Sequence, residues 1–141
     1  MISTKGRYAL RVVIDIAENE NGAPVRLSDV AARQEISLKY LELIIPSLTK
    51  AGIVSSAHGK GGGYKLTTPP DRLKVGEVVR AAEGELAPVA CLKCDAAPCY
   101  RAAKCKTLSV WQEYYRLTNA YFDSITIADV INGNVAFNPQ N

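Results

Sequence analysis

All four cysteines of this 141-residue chain lie between Cys91 and Cys105, in the run Cys-Leu-Lys-Cys-Asp-Ala-Ala-Pro-Cys-Tyr-Arg-Ala-Ala-Lys-Cys. The run holds a proline, no β-branched residue and little that could build a core, so it reads as a loop. Any hydrophobic interior must come from the segments on either side. Four soft ligands in one loop suit a metal or iron–sulfur centre, a thiol redox switch, or a structural disulfide clasp. The start of the chain carries Lys5, Arg7 and Arg11 but no apolar export segment and no cleavage site. A cytoplasmic protein is expected, and persistent disulfides are rare in that reducing compartment. The clasp is therefore the weakest of the three.

With 48% hydrophobic and 22% charged residues the chain should fold, and no apolar run reaches the roughly 20 residues of a membrane span. Residues 1–80 carry twelve Lys and Arg against eight Asp and Glu, whereas residues 81–141 carry five against six. Basic charge thus sits in the half without cysteines, which is compatible with nucleic-acid binding there.

Ser3 or Thr4 can cap a first helix whose apolar stripe runs through Tyr8, Val12 and Ile16, with Ala9, Val13 and Ala17 beside them. The helix should stop near Glu20, before Asn21-Gly22-Ala23-Pro24. After a short extended piece, Val25-Arg26-Leu27, Ser28 is the expected cap of a second helix over 29–33, and Glu35-Ile36 is the turn. Ser37 should cap a third helix over 38–51 with Leu38, Leu41, Ile44 or Ile45, and Leu48 facing inward. Pro46 lies inside this helix and should kink or tighten it. Two strand-like runs, 53–56 and 64–67, flank Ala57-His58-Gly59-Lys60-Gly61-Gly62-Gly63, a hairpin tip that can approach a partner closely.

Two helices, a turn, a longer helix and such a hairpin make a winged helix-turn-helix. In this arrangement the third helix enters the DNA major groove and the tip touches the backbone or minor groove. Ser37, Lys39, Tyr40 and Glu42 suit that task, since Ser and Tyr donate to phosphates, Lys neutralises them and Glu accepts from a cytosine amino group. A bland flexible hairpin on a small scaffold is the competing reading. A nucleotide-phosphate loop fits less well, because no Lys-Ser/Thr follows the glycines at a helix start.

A short helix should follow over 75–82, ending at Gly84. From Thr107 a long helix is expected, with Leu108, Trp111, Tyr115, Thr118, Phe122 and Ile125 spaced as a heptad stripe. Few elements remain to cover that stripe, so we expect a homodimer across it. Thr126 can cap a last short helix over 127–131. The fold class is therefore mostly α with a small β-hairpin wing. The expected division is 1–84 for DNA binding, 85–106 for a cysteine-rich sensor loop, 107–132 for the dimerisation and final helices, and 133–141 for a frayed tail.

Taken in order, several runs resemble the iron–sulfur cluster regulator (IscR-like) family of bacterial winged-helix repressors, which includes relatives that sense nitric oxide or control cysteine metabolism. They are residues 3–10 (Ser-Thr-Lys-Gly-Arg-Tyr-Ala-Leu), 36–42, 50–56, 59–64, Val75-Gly76-Glu77-Val78, the cysteine loop, and Trp111 with Ile125-Thr126. The resemblance implies a cytoplasmic homodimer on a double-stranded, imperfectly palindromic operator. It implies DNA contacts from Thr4, Lys5 and Arg7, from Ser37, Lys39 and Tyr40, and from the wing through His58, Lys60 and Gly61. Glu42 would discriminate between operator classes, and His58 stands where the family often has Arg.

The family's three cluster cysteines match Cys91, Cys99 and Cys105. Its His ligand falls on Leu108 and its carboxylate ligand near Arg7, neither of which can serve. Cys94 is an additional thiol instead, in Cys-x-x-Cys with Cys91. Four readings of the centre stay open. All four thiolates could hold an iron–sulfur cluster, [2Fe–2S] or alternatively [4Fe–4S]; three could hold one with another ligand; the four could bind zinc; or they could form a metal-free switch near Lys93, Arg101, Lys104 and Lys106. No catalytic triad or carboxylate pair is present, so an enzyme is not expected. The rivals are a redox protein using Cys91-x-x-Cys94 and a structural adaptor. A regulatory protein partner is left open.

Overall fold

The computed structural model describes residues 1–136 and consists of six α-helices and one two-stranded hairpin among those residues. The helices are α1 (Thr4–Asn19), α2 (Leu27–Gln34), α3 (Leu38–Lys50), α4 (Val75–Glu83), α5 (Leu108–Ser124) and α6 (Ile127–Asn132). Strands β1 (Val54–Ala57) and β2 (Gly63–Leu66) pair antiparallel with Val54 opposite Leu66 and Ser56 opposite Tyr64. The last part of the expected tail, residues 137–141, lies outside the described residues. No described helix is long and apolar enough to cross a membrane.

The amphipathic stripe of α1 is buried along its length through Ala9, Val12, Val13 and Ile16. Around it pack α2, α3, α4, α6 and the hairpin. The same interior takes Val30, Leu41, Ile44, Ile45, Leu48, Ile53, Val54, Leu73, Val75, Val78 and Val79. Each such side chain contributes about 1.5–3 kcal/mol when removed from water. Helix α3 runs through Pro46 without breaking. Pro46 is exposed, so water can serve the carbonyl left without its donor.

Three expectations need correction. Helix α2 is capped by the backbone of Arg26 and starts at Leu27, whereas Ser28 is the expected cap of a helix starting at 29. The reason is pairing: Val25 exchanges two 2.8 Å backbone bonds with Tyr64 as an isolated bridge beside the hairpin, and that fixes where extended chain ends. Leu38 is 40% exposed, because the first turn of α3 projects beyond the core. Ile125 does not lie on an outer stripe of α5. It is the residue at which α5 stops, it is 3% exposed, and its carbonyl accepts from the Val75 N–H at 2.9 Å. The chain then returns, with Ile127 N–H donating to Leu73 O at 2.9 Å and Ile127 fully buried. Helix α6 therefore packs with α1. Thr126 caps it as expected, its hydroxyl accepting from Asp129 N–H at 3.0 Å while the Asp129 carboxylate accepts from Thr126 N–H at 2.9 Å.

The buried polar residue is Asp15, 2% exposed, on α1. Arg33 of α2 grips both of its oxygens at 2.7–3.2 Å and Gln34 donates to it at 2.9 Å. A charge out of water needs such partners, so the clasp fixes how α2 sits on α1. Arg33→Ala would strand the carboxylate with Gln34 alone. We expect it to destabilise the protein by about 2–3 kcal/mol, with Gln34 softening the loss, as read from urea unfolding midpoints.

Candidate nucleic-acid interface and cysteine loop

The helix-turn-helix is α2, a tight turn and α3. Glu35 makes the turn in the left-handed region (φ 54°). Ser37 caps α3, its hydroxyl accepting from the Tyr40 N–H at 3.1 Å. Lys39 and Glu42 are exposed on α3, and so is Ser37 at its cap. Tyr40 is half-buried, with its ring edge-on to Tyr8 of α1 at 5.5 Å and 83°. Tyr8 in turn lies under the Arg11 guanidinium at 5.2 Å, and Arg11 Nε donates to Gln34 Oε1 at 3.1 Å. Tyr8, read in the sequence only as core, thus braces the start of α3. Its place in the apolar stripe concealed that role.

At the amino end of α1, Thr4 and Arg7 are exposed and joined by an Arg7 Nη2–H to Thr4 Oγ1 bond of 3.3 Å, and Lys5 is half-buried. His58, Lys60 and Gly61 are exposed at the tip of the wing. Gly59 and Gly61 turn that tip with φ of 91° and 82°, which side chains resist.

The cysteine loop joins α4 to α5 and contains only two short 3₁₀ turns, Ala90–Leu92 and Ala102–Lys104. Cys91, Cys94 and Cys99 are exposed, Cys105 is half-buried, and all four are free thiols. The structure does not draw them together: among the described residues no three His, Cys, Asp or Glu side chains converge where a metal could sit. The donor chemistry nonetheless fits a thiolate-bound centre, since four cysteines on a loop with few packing constraints can be gathered by what they bind. Among the described residues, the loop is tethered to α5 by hydrogen bonds through Glu85. Glu85 accepts from the Cys94 N–H with both oxygens, at 2.8 and 3.0 Å, and from the Tyr115 hydroxyl of α5 at 3.0 Å. Burial, and then this bond to Glu85, hold the Tyr115 phenol above its ordinary pKa, so it remains a donor.

Helix α5 buries none of its residues. Val110, Trp111 and Tyr114 are exposed, while Leu108, Tyr115, Thr118 and Phe122 are half-buried. It is held to α4 by Arg80, which donates to Asn119 Oδ1 at 3.0 Å and pairs with Asp123 at 2.5 Å. A groove of about 690 Å³ runs between α5, Ile2 and the segment that follows α4, with Leu86, Trp111, Leu117 and Phe122 among its walls beside Glu83 and Glu85.

A capped recognition helix braced by α1, with a glycine-turned wing and a basic amino-terminal half, defines a winged helix-turn-helix transcriptional regulator, a DNA-binding and non-enzymatic class. The chain belongs to the Rrf2 family of iron-dependent transcriptional regulators, whose family model matches residues 2–133. Within that family it is IscR-like. It is 35% identical over 131 residues to the HTH-type transcriptional regulator IscR of Escherichia coli, which covers 93% of this chain and 80% of that protein. The solved structure of T. potens IscR superposes with a TM-score of 0.73 at 36% identity, over 95% of this chain and 88% of that one. CymR, the global cysteine regulator of B. subtilis, superposes equally, with a TM-score of 0.73 at 33% identity over 92% and 95% of the two chains.

Hydrogen bonding with Thr107, side chain first and then backbone, holds the Cys105 thiol below the ordinary thiol pKa, with Arg101 adding a weaker pull. The Cys105 sulfur and the Thr107 hydroxyl are 3.5 Å apart. A lowered pKa means more thiolate, and so faster alkylation, at a given pH below it. In metal-free reduced protein, the pH midpoint of iodoacetamide labelling at Cys105 should lie below that of an unperturbed thiol. Thr107→Val should move that midpoint upward, as followed by mass spectrometry.

Proposed function

We propose that this chain works as a cytoplasmic homodimer that represses transcription by binding a double-stranded operator, and that the state of Cys91, Cys94, Cys99 and Cys105 sets its affinity. The observation that carries the reading is the position of the thiols. Four free sulfurs sit in one weakly packed loop that leads directly into α5, the helix with a bare apolar face. That face and the adjoining groove support dimerisation, because exposed aromatics over such an area are normally covered by a partner.

In a dimer, the spacing of the two α3 helices must match half-sites about one DNA turn apart. Ser37, Lys39, Tyr40 and Glu42 then face base edges and phosphates. Thr4, Lys5 and Arg7, with His58, Lys60 and Gly61 of the wing, hold the backbone. The four thiolates are the donor set for an iron–sulfur cluster, [2Fe–2S] by resemblance, with [4Fe–4S] equally compatible with four sulfurs. Such a group would supply one-electron redox chemistry. The loop's own part is to order or slacken between α4 and α5, and so to change how the heads are held. The lowered pKa of Cys105 supports a second reading, a metal-free thiol switch in the same loop.

Anaerobic purification, followed by an absorption spectrum and iron, sulfide and zinc analysis, separates the two. Visible colour with iron and sulfide supports the cluster; colourless protein that forms a reversible disulfide supports the switch. A coupling of ~1–3 kcal/mol changes operator affinity about 5–150-fold between the two states. Cys99→Ser should abolish that difference and leave a folded dimer, since Cys99 is exposed and outside the core. Regulation that survives the substitution defeats the mechanism. Lys60→Ala should lower the slope of log affinity against log salt by about 1, one phosphate contact fewer, in a fluorescence anisotropy titration.

A further inference from the structure

Helix α1 has an unusual start. The first N–H groups of a helix have no partner within it and the end carries partial positive charge, so a local acid or capping side chain normally serves them. Here the first turn has no acid, and the side chain of Ser3, in the cap position, does not accept from its own helix. The Glu83 carboxylate, from the far end of α4, takes that place. Its Oε1 accepts from Ser3 N–H at 2.7 Å, Ser3 Oγ–H at 2.6 Å and Gly6 N–H at 3.0 Å. Gly6 makes this possible, since a Cβ there would overlap the Glu83 side chain. Two residues on, after Gly84 ends α4 with φ of 80°, Glu85 holds the Cys94 N–H and the Tyr115 hydroxyl.

We propose that Glu83 and Glu85 are paired positioning residues which tie the cysteine loop, through the end of α4, to the amino end of α1. The inference rests on the functional reading above, in which Thr4, Lys5 and Arg7 meet DNA and the loop senses. It adds the route. When the chemistry at the thiols pulls the Cys94 backbone away, Glu85 loses two of its bonds, residues 83–85 are released, and the carboxylate at Ser3 and Gly6 shifts. The first turn of α1 then frays, and its three DNA-facing side chains lose their fixed placement. Among the described residues no similar bond network joins the loop to α3, so the effect falls on backbone contacts more than on base reading.

The test is hydrogen–deuterium exchange on the full-length, metal-free, reduced protein, with and without N-ethylmaleimide on its thiols. In the wild type, alkylation should speed exchange at the amides of residues 3–7 by about fivefold or more. In Glu85→Ala those amides should exchange at one rate whether or not the thiols are alkylated, while Glu85→Gln, which keeps an acceptor, should restore part of the difference. Glu83→Ala should give fast exchange at residues 3–7 in both states, with core amides of α1 such as Val12 unchanged. Wild-type exchange at residues 3–7 indifferent to alkylation overturns the proposal, as does Glu85→Ala that responds like wild type.

Binding to a duplex selected by the wild type from random-sequence DNA provides the second measurement. Glu85→Ala should bind that duplex about as weakly as the alkylated wild type, whatever the state of its thiols. Exchange that follows the thiols in a protein that selects no duplex would support the tie and overturn the DNA-binding reading instead. The two failures are thereby distinct.

Discussion

Burial of one face of α1 is the constraint on which the rest of the structure depends. Ala9, Val12, Val13 and Ile16 are fully buried, and α2, α3, α4, α6 and the hairpin take their places by covering them. Apolar burial has no direction of its own, so polar contacts must choose among the ways of covering a helix. Asp15 with Arg33 and Gln34 sets α2. Glu20 sets the wing, its carboxylate accepting from the Leu66 N–H at 3.0 Å. Glu83 sets α4 against the first turn. One helix thus braces α3 through Tyr8 and meets the end of α4 at its first turn.

Much of this was legible in the sequence, because it is periodic or local. The stripes of α1, α3 and α4, the caps at Ser37 and Thr126 and the glycines of the wing are carried by residues within a few positions of one another. The misses share a physical cause. Ser28 resembles a cap in every local respect, but the pairing of Val25 with Tyr64 decides where the helix can begin. Ile125 continues the heptad count of α5, yet a count does not see that the helix has ended. The cap at Thr126 was the available signal, since a residue immediately before a cap lies in the break between two helices and can turn inward. Glu83 and Glu85 gave no periodic trace, as their partners lie 77 to 80 and 9 to 30 residues away. Gly6 was the one hint for Glu83, because a glycine inside a helix is costly and marks a close approach.

The cysteine loop was legible as chemistry and illegible as geometry. Spacing placed four thiols in one segment, which is a statement about the chain. Nothing apolar in the loop forces those sulfurs together in space, and the Glu85 carboxylate holds the segment at Cys94.

That weakness is what a sensing element requires. A core packed to the density of α1 and its neighbours resists small displacements, and moving any of its side chains costs more than a few kcal/mol. Residues 90–106 bury no side chain fully, so their conformations lie close in free energy and a modest chemical change at sulfur can choose among them. The choice reaches the rest of the molecule only where the loop touches something rigid. Among the described residues these places include Glu85 with Tyr115 of α5 and the entry to α5 at Thr107, near Cys105. A change at Cys94 is placed to act on the first, and a change at Cys105 on the second. Of the three cysteines that match the resemblance, Cys105 adjoins the entry to α5, while the additional Cys94 is held by its backbone on Glu85, which also contacts Tyr115.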